Sequence, residues 1–176
     1  MFKYRDRETA EKILGRIKDM DVDLKFMHVC GTHQDTIVRF GLEEMLTDAG
    51  IEISQGPGCP VCVTTGKEIA DAITLARNGV TVTAFGDMMR VPTTIGSLFE
   101  AKADGADVRI VYSIEDAVRM ARENGGRPLV FVAVGFETTA PSTCVPLQRG
   151  GLPENFSVYS CHRTCPPVLK AIFEMG

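Results

Sequence analysis

The chain has 176 residues, with 19 Lys and Arg against 23 Asp and Glu for a formal net charge of −4. The basic residues are scattered and leave no electrostatic footprint for nucleic acid. The longest apolar run, Leu129–Phe136, falls far short of a membrane span, and the 6 cysteines fall well below the roughly 8–10% that marks a disulfide scaffold. A chain of this length buries roughly 70% of the surface its unfolded form exposes, so its core needs no staples. Met1–Met20 is charged throughout and lacks a signal-peptide core, and thiols placed at turns suit a reducing compartment. The expectation is a cytoplasmic protein with no nucleic-acid and no membrane partner, one that meets small molecules, metal complexes or other proteins.

Taken in chain order, Arg5–Met20 places Ile13, Leu14 and Ile17 at helical spacing between charges and reads as an amphipathic surface helix. Leu24–Val29 reads as a strand ending in Cys30-Gly31-Thr32-His33. A helix follows over about Gln34–Leu46 with Ile37, Val38, Leu42, Met45 and Leu46 as its apolar stripe. A second strand, Ile51–Ser54, leads into Gly56-Pro57-Gly58-Cys59-Pro60-Val61-Cys62. The Thr-x-x-Glu spacing of Thr65 and Glu68 is that of a capping box for a helix over Gly66–Arg77, stopped by Asn78-Gly79. Further strands are expected at Val80–Phe85, Val108–Tyr112, Leu129–Val134 and Phe156–Ser160, and further helices at Ile95–Lys102, Ile114–Asn124 and Ala140–Leu147. Ser113 and Asp116 cap the helix over Ile114–Asn124.

Strands alternate with helices, and their β-branched runs lack polar alternation, which points to an α/β fold with a buried, doubly wound-like parallel sheet flanked by helices. Residues 1–126 are expected to form the first α/β domain, carrying the Cys30/His33 and Cys59/Cys62 loops. Residues 127–176 read as the truncated start of a second, similar one.

The chemistry concentrates at the ends of the first two strands. Gly56 and Gly58 permit backbone angles closed to other residues, while Pro57 and Pro60 fix φ, so the loop is stiff and presents Cys59 and Cys62. The positive end of the following helix favours thiolate over thiol. Cys30 and His33, three apart on their own turn, are soft or borderline metal ligands. Parallel strands deliver their following loops to one edge, where ligands bind, so Cys30, His33, Cys59 and Cys62 are expected to share a site.

Other readings of the same residues stay open at this level. Cys59 and Cys62 resemble the redox pair of a thiol-disulfide oxidoreductase, with one thiol attacking and the other resolving. They also make half of a structural zinc site, to be completed by Cys161, His162 or Cys165 in a zinc-stabilised binding module. Thr65-Gly66-Lys67-Glu68 is not a nucleotide loop, because Val61 stands where the first glycine belongs and Glu68 where Ser or Thr belongs. Asp87 and Arg90, in Gly86-Asp87-Met88-Met89-Arg90-Val91-Pro92, are an ion pair or substrate contacts, with Met88 and Met89 as packing residues. Cys144 reads as a small buried hydrophobe, His28 as structural, and Glu137 as either a first-turn helix acid or a catalytic one.

Four stretches in order carry a family resemblance over nearly the whole chain: Met27–His33, Gln55–Cys62, Phe85–Pro92 and Val134–Pro141. Together they resemble the HypD family of nickel-iron hydrogenase maturation factors. The resemblance implies an assembly scaffold on which an iron atom receives two cyanides and one carbon monoxide, with a HypC-like chaperone sharing the iron and a HypE-like cyanide donor. It makes Cys30 and His33 the iron-site pair, Cys59 and Cys62 the redox-active thiols, and Glu137 a residue of the Gly-Phe-Glu-Thr-Thr motif near the site. It further implies a four-iron four-sulfur cluster whose cysteine ligands are not present in this chain, and it assigns no role to Cys161 and Cys165.

Overall fold

The computed structural model describes residues 6–56 and 58–175; Arg5 and Pro57, which figure in the expected first helix and in the double-cysteine loop, lie outside the described residues. Contacts divide the chain into two compact units, Met1–Cys59 and Pro60–Gly176.

In the first unit, α1 (Arg7–Asp19) starts at Asp6, whose carboxylate accepts the Thr9 amide at 3.1 Å. β1 (Leu24–His28) lies parallel to β2 (Ile51–Gln55), with Leu24 opposite Ile51 and His28 opposite Gln55. The single helix expected between them is two, α2 (Gly31–Arg39) and α3 (Leu42–Thr47). The break falls at Gly41, whose φ of 59° lies in the left-handed region that ends a right-handed helix. The expectation of strands buried on both faces fails for β1, where Leu24, Phe26 and Met27 are 44%, 50% and 42% exposed. A two-stranded ribbon has no inner strand, and Lys25 and Glu52 pair across one of its faces at 2.6 Å.

The second unit runs α4 (Pro60–Val63), α5 (Gly66–Arg77), β3 (Thr81–Ala84), a 3-10 helix over Gly86–Arg90, α6 (Leu98–Ala103), β4 (Val108–Ile110), α7 (Ile114–Glu123), β5 (Leu129–Ala133), α8 (Ala140–Arg149), β6 (Phe156–Ser160) and α9 (Pro166–Glu174). Its strands form one parallel sheet in the order β4-β3-β5-β6. The chain steps from β3 outward to β4, then returns across β3 to β5, which is the reversal that defines a doubly wound sheet.

Strand pairing runs across the boundary expected after Gly126. β5 is hydrogen-bonded directly to β3, with Val82 opposite Val130, so residues on both sides of Gly126 belong to one sheet. Gly125 and Gly126, at φ of 61° and 77°, form the turn between α7 and β5 inside a crossover rather than a linker.

The side chains of β5 explain why the sheet is covered on both faces. Val132 packs with Ile69, Ile73, Leu98 and Val108 on one side, while Leu129, Phe131 and Ala133 pack with Ile114, Ala117 and Ala121 of α7 on the other. Period-two alternation serves both layers because both faces are apolar. Burial of a side chain such as Ile73 or Phe131 contributes about 1.5–3 kcal/mol. Met88 and Met89 join the first layer as packing residues. The short helix expected from Ile95 begins at Leu98, because Ser97 and Glu100 form a capping box there and Thr93–Gly96 is a tight turn.

Candidate functional site

The in-register pairing of β1 and β2 sends both of their following segments off the same end of the ribbon. Cys30 comes two residues after β1 and caps α2 with extended backbone, its carbonyl accepting the Gln34 amide at 3.1 Å, and its thiol makes no capping bond. Cys30 is half-buried and His33, in the first turn of α2, is exposed.

His28, at the end of β1, supports this turn. Its Nε2 meets Gln34 Oε1 at 2.9 Å and its Nδ1 accepts a long hydrogen bond from the Cys30 amide at 3.5 Å. An amide can only donate, so the two contacts together fix the tautomer with the proton on Nε2. The His28 and His33 rings stand edge to face with centroids 6.1 Å apart. His28 is thus structural in the sense expected, and it orders the segment that carries Cys30 and His33.

The second segment is tied to the first. The Gly56 amide donates to the His28 carbonyl at 2.7 Å, one step beyond the last register pair, and the Gly58 amide folds back onto the Gly56 carbonyl at 2.8 Å. Gly58 has a φ of 72°, which explains its lack of a side chain. Cys59, half-buried, closes the first unit. Within that unit Cys30, His33 and Cys59 all follow strand ends on one side of the β1–β2 ribbon.

The remaining expected site residues, Cys62 and Glu137, belong to the second unit. Cys62 is exposed on α4, and the buried Thr64 hydroxyl donates to the Pro60 carbonyl at 2.8 Å to close that single turn. Thr65 and Glu68 then form the expected capping box of α5. Glu68 does more than cap. Its two carboxylate oxygens accept hydrogen bonds of 2.8 and 2.6 Å from Arg163 Nη2, and the oxygen facing Thr65 also accepts from that residue's amide and hydroxyl. Arg163, above all, holds the Glu68 carboxyl below the ordinary glutamate range.

Glu137 follows β5 in the turn before α8, yet it does not cap that helix, whose N-cap is Thr139. It reaches instead to the start of α9, where the Cys165 amide donates to its Oε1 at 2.8 Å. Its carboxyl is held low, first by its own backbone amide and then by Cys165. The Cys165 thiol is pushed up by burial and by the neighbouring carboxylate. Both β3 and β5 lie at the point where strand order reverses, the place in an open α/β sheet where ligands are bound. The Gly86–Arg90 segment and the Glu137 turn are the two loops that leave it.

Several expectations change. Cys144 is exposed on α8, whereas the buried thiol is Cys161, pushed up to about 11 by burial. Arg90 lies over the Phe99 ring, 5.7 Å from its centroid, and among the described residues no ion pair joins it to Asp87. His162 sits between Ser160 Oγ at 3.0 Å and Thr143 Oγ1 at 3.5 Å, and burial lowers its pKa. Among the described residues no three His, Cys, Asp or Glu side chains are grouped to hold a metal ion. The sequence singled out neither Arg163 nor the second role of Glu68. A capping box is visible in a sequence, but a partner 95 positions away is not.

Comparison with known proteins adds a separate line. Residues 7–176 match the family described as HypD, hydrogenase formation hypA family. A protein of Methanocaldococcus jannaschii named for hydrogenase expression and formation is 46% identical over 182 residues, covering 100% of this chain and 50% of its own length. Hydrogenase maturation factor HypD2 of Bradyrhizobium diazoefficiens is 45% identical over 179 residues, covering 98% and 47%. Hydrogenase maturation factor HypD of Escherichia coli is 45% identical over 183 residues, covering 98% and 49%. The chain therefore spans about half the length of these relatives.

Proposed function

This chain belongs to the HypD family of hydrogenase formation proteins, and from that premise we propose that it acts in hydrogenase maturation as a scaffold for iron carrying two cyanides and one carbon monoxide. The iron is cargo. Cys30 and His33 hold it: a thiolate and an imidazole suit a low-spin ion that already carries strong-field ligands, and such an ion asks few ligands of the protein. The parallel register of β1 and β2 is the single observation that supports this best, because it sends the Cys30 turn and the Gly56–Cys59 segment off one ribbon end.

In this reading Cys59 and Cys62 form a redox-active dithiol. Closing their disulfide releases two electrons and two protons, and reopening it takes them up. Glu137 is the acid-base group. A HypC-like chaperone shares the iron and a HypE-like protein donates cyanide, in the cytoplasm. A four-iron four-sulfur cluster belongs to the half of the relatives' length outside this chain.

Co-purification with a HypC-like chaperone tests the scaffold. Infrared bands of metal-bound cyanide and carbon monoxide are expected from the complex, and Cys30→Ala removes them. A complex with no such bands refutes the reading, and disulfide-reducing turnover in the absence of iron favours a thiol-disulfide oxidoreductase instead.

A further inference from the structure

The segment from Cys161 to Cys165 is stitched to the end of β5 at every second residue. The Cys161 amide donates to the Ala133 carbonyl at 2.8 Å, the Arg163 amide to the Gly135 carbonyl at 3.0 Å, and the Cys165 amide to the Glu137 carboxylate at 2.8 Å. The first two continue the β5–β6 ladder past the ends of the strands. The third is of another kind, because its acceptor is a side chain on an exposed turn. Beyond Cys165, Pro166 and Pro167 have no amide hydrogen, so Cys165 carries the last donor before two residues that offer none.

The Cys165 carbonyl starts α9 by accepting the Val168 and Leu169 amides at 3.0 Å, while its amide points away from the helix to the Glu137 turn. Thr164 is exposed, and the cap residue of α9 makes no side-chain capping bond. To the backbone bonds at Cys161 and Arg163 the Arg163 side chain adds a tie to α5: it grips both oxygens of Glu68 while its Nη1 donates to the His162 carbonyl at 3.2 Å. Glu68 is itself fixed as the third residue of α5 by the capping box. Charge-assisted bonds to a carboxylate that also holds its own helix end are stiff as well as strong.

We propose that Arg163 is a positioning residue for Glu137: by gripping the α5 cap with its side chain and the Gly135 turn with its backbone, it keeps the Cys165 amide bonded to the Glu137 carboxylate. The inference rests on the reading of Glu137 as a site residue. Two parts of the second unit that are far apart in sequence, the capped start of α5 and the Gly135–Thr139 turn, thereby become one rigid piece. Other groups nearby are occupied elsewhere: His162 faces Ser160 and Thr143, and Tyr159 donates to Asp71 at 3.1 Å.

The test follows the carboxyl carbon of Glu137 by NMR during an acid titration, with Glu137→Gln used to assign its signal. It compares the unaltered chain with Arg163→Gln and Glu68→Gln. Glutamine at position 68 still serves a capping box, so α5 stays capped while the charge pair is lost. Arg109→Gln breaks the pair with Asp107, at the opposite rim of the sheet, and controls for general destabilisation. Losing an amide bond to the charged form raises a carboxyl midpoint. The Glu137 midpoint is therefore expected to rise toward the ordinary glutamate range in both Arg163→Gln and Glu68→Gln, and to stay in place in Arg109→Gln. A Glu137 midpoint unchanged in either of the first two variants, with the fold intact by circular dichroism, overturns the proposal. The titration needs no iron, so that result would leave the iron scaffold standing, just as absent iron bands would leave the strut standing.

Discussion

Gly56 and His28 are joined by a 2.7 Å hydrogen bond from the glycine amide to the histidine carbonyl, just past the last paired residues of β1 and β2. The bond carries the parallel pairing one step further and ties the segment before Cys59 to the residue that orders the Cys30 turn. A side chain at position 56 would strike this junction. A Cβ there would lie 2.6 Å from Met27 Cγ and 2.7 Å from its Sδ.

Gly56→Ala is accordingly expected to destabilise the first unit by about 1–3 kcal/mol through overpacking. Met27→Ala in the same chain relieves part of the loss, since the two changes are in direct contact and do not add. Thermal unfolding of the two single variants and the double variant measures this, and a Tm for Gly56→Ala equal to that of the unaltered chain would remove the close approach from the account.

The capping box at Thr65 makes a second prediction. Thr65→Ala removes the hydroxyl that accepts the Glu68 amide at 3.3 Å and is expected to cost about 1 kcal/mol. Thr65→Ser restores it. Denaturant unfolding with an unchanged slope separates a lost cap from a changed unfolded state.

Acid should expose the network at the opposite rim of the sheet. Asp107 is held below its ordinary value, first by the Arg109 hydrogen bonds and also by the Thr81 hydroxyl at 2.9 Å. A carboxyl whose folded pKa lies below its unfolded one contributes stability that is present above the unfolded value and lost as pH falls through the folded value. Asp107→Asn is therefore expected to lower stability at neutral pH and to flatten the decline between the ordinary aspartate range and more acid pH. Parallel pH–stability curves for the two proteins would contradict this.

Alkylation should separate two cysteines sharply. Cys144 is exposed, whereas Cys161 is 1% exposed and its thiol is pushed up to about 11. Thiolate is the reacting species, so iodoacetamide at neutral pH is expected to label Cys144 while Cys161 stays unlabelled until the chain unfolds. Mass spectrometry of the digested protein reads this directly, and early labelling of Cys161 would mean that the core opens.

Much of the second unit was legible in the sequence because its signals are local. The Thr65–Glu68 box, the Ser113 cap and the β-branched run at Leu129–Val134 each dictate structure within a few residues, and each stands where it was expected. Gly41 split a helix that apolar spacing alone made continuous, since periodicity records which face is apolar but not where the backbone turns left-handed. Gly125-Gly126 reads alike as a linker or as a crossover turn, and only the pairing of β3 with β5 distinguishes them.

At the candidate site, Cys30, His33 and Cys59 were legible as residues that follow strand ends. The exposure of β1 was not, because a continuous apolar run does not reveal how many strands share its sheet. Cys144 is exposed where a buried residue was expected, for a similar reason. Burial depends on the helices that cover a residue, and those lie far away in sequence. The grip of Arg163 on Glu68 and of Glu137 on the Cys165 amide are long-range side-chain choices, and no spacing rule encodes them.

The central claim is that Cys30 supplies a thiolate to iron. Iron K-edge absorption spectroscopy of the iron-loaded chain, beside Cys30→Ser and Cys144→Ser, tests it most directly. A sulfur scatterer at iron is expected to be lost in Cys30→Ser and kept in Cys144→Ser; a spectrum unchanged by Cys30→Ser would contradict thiolate ligation by Cys30.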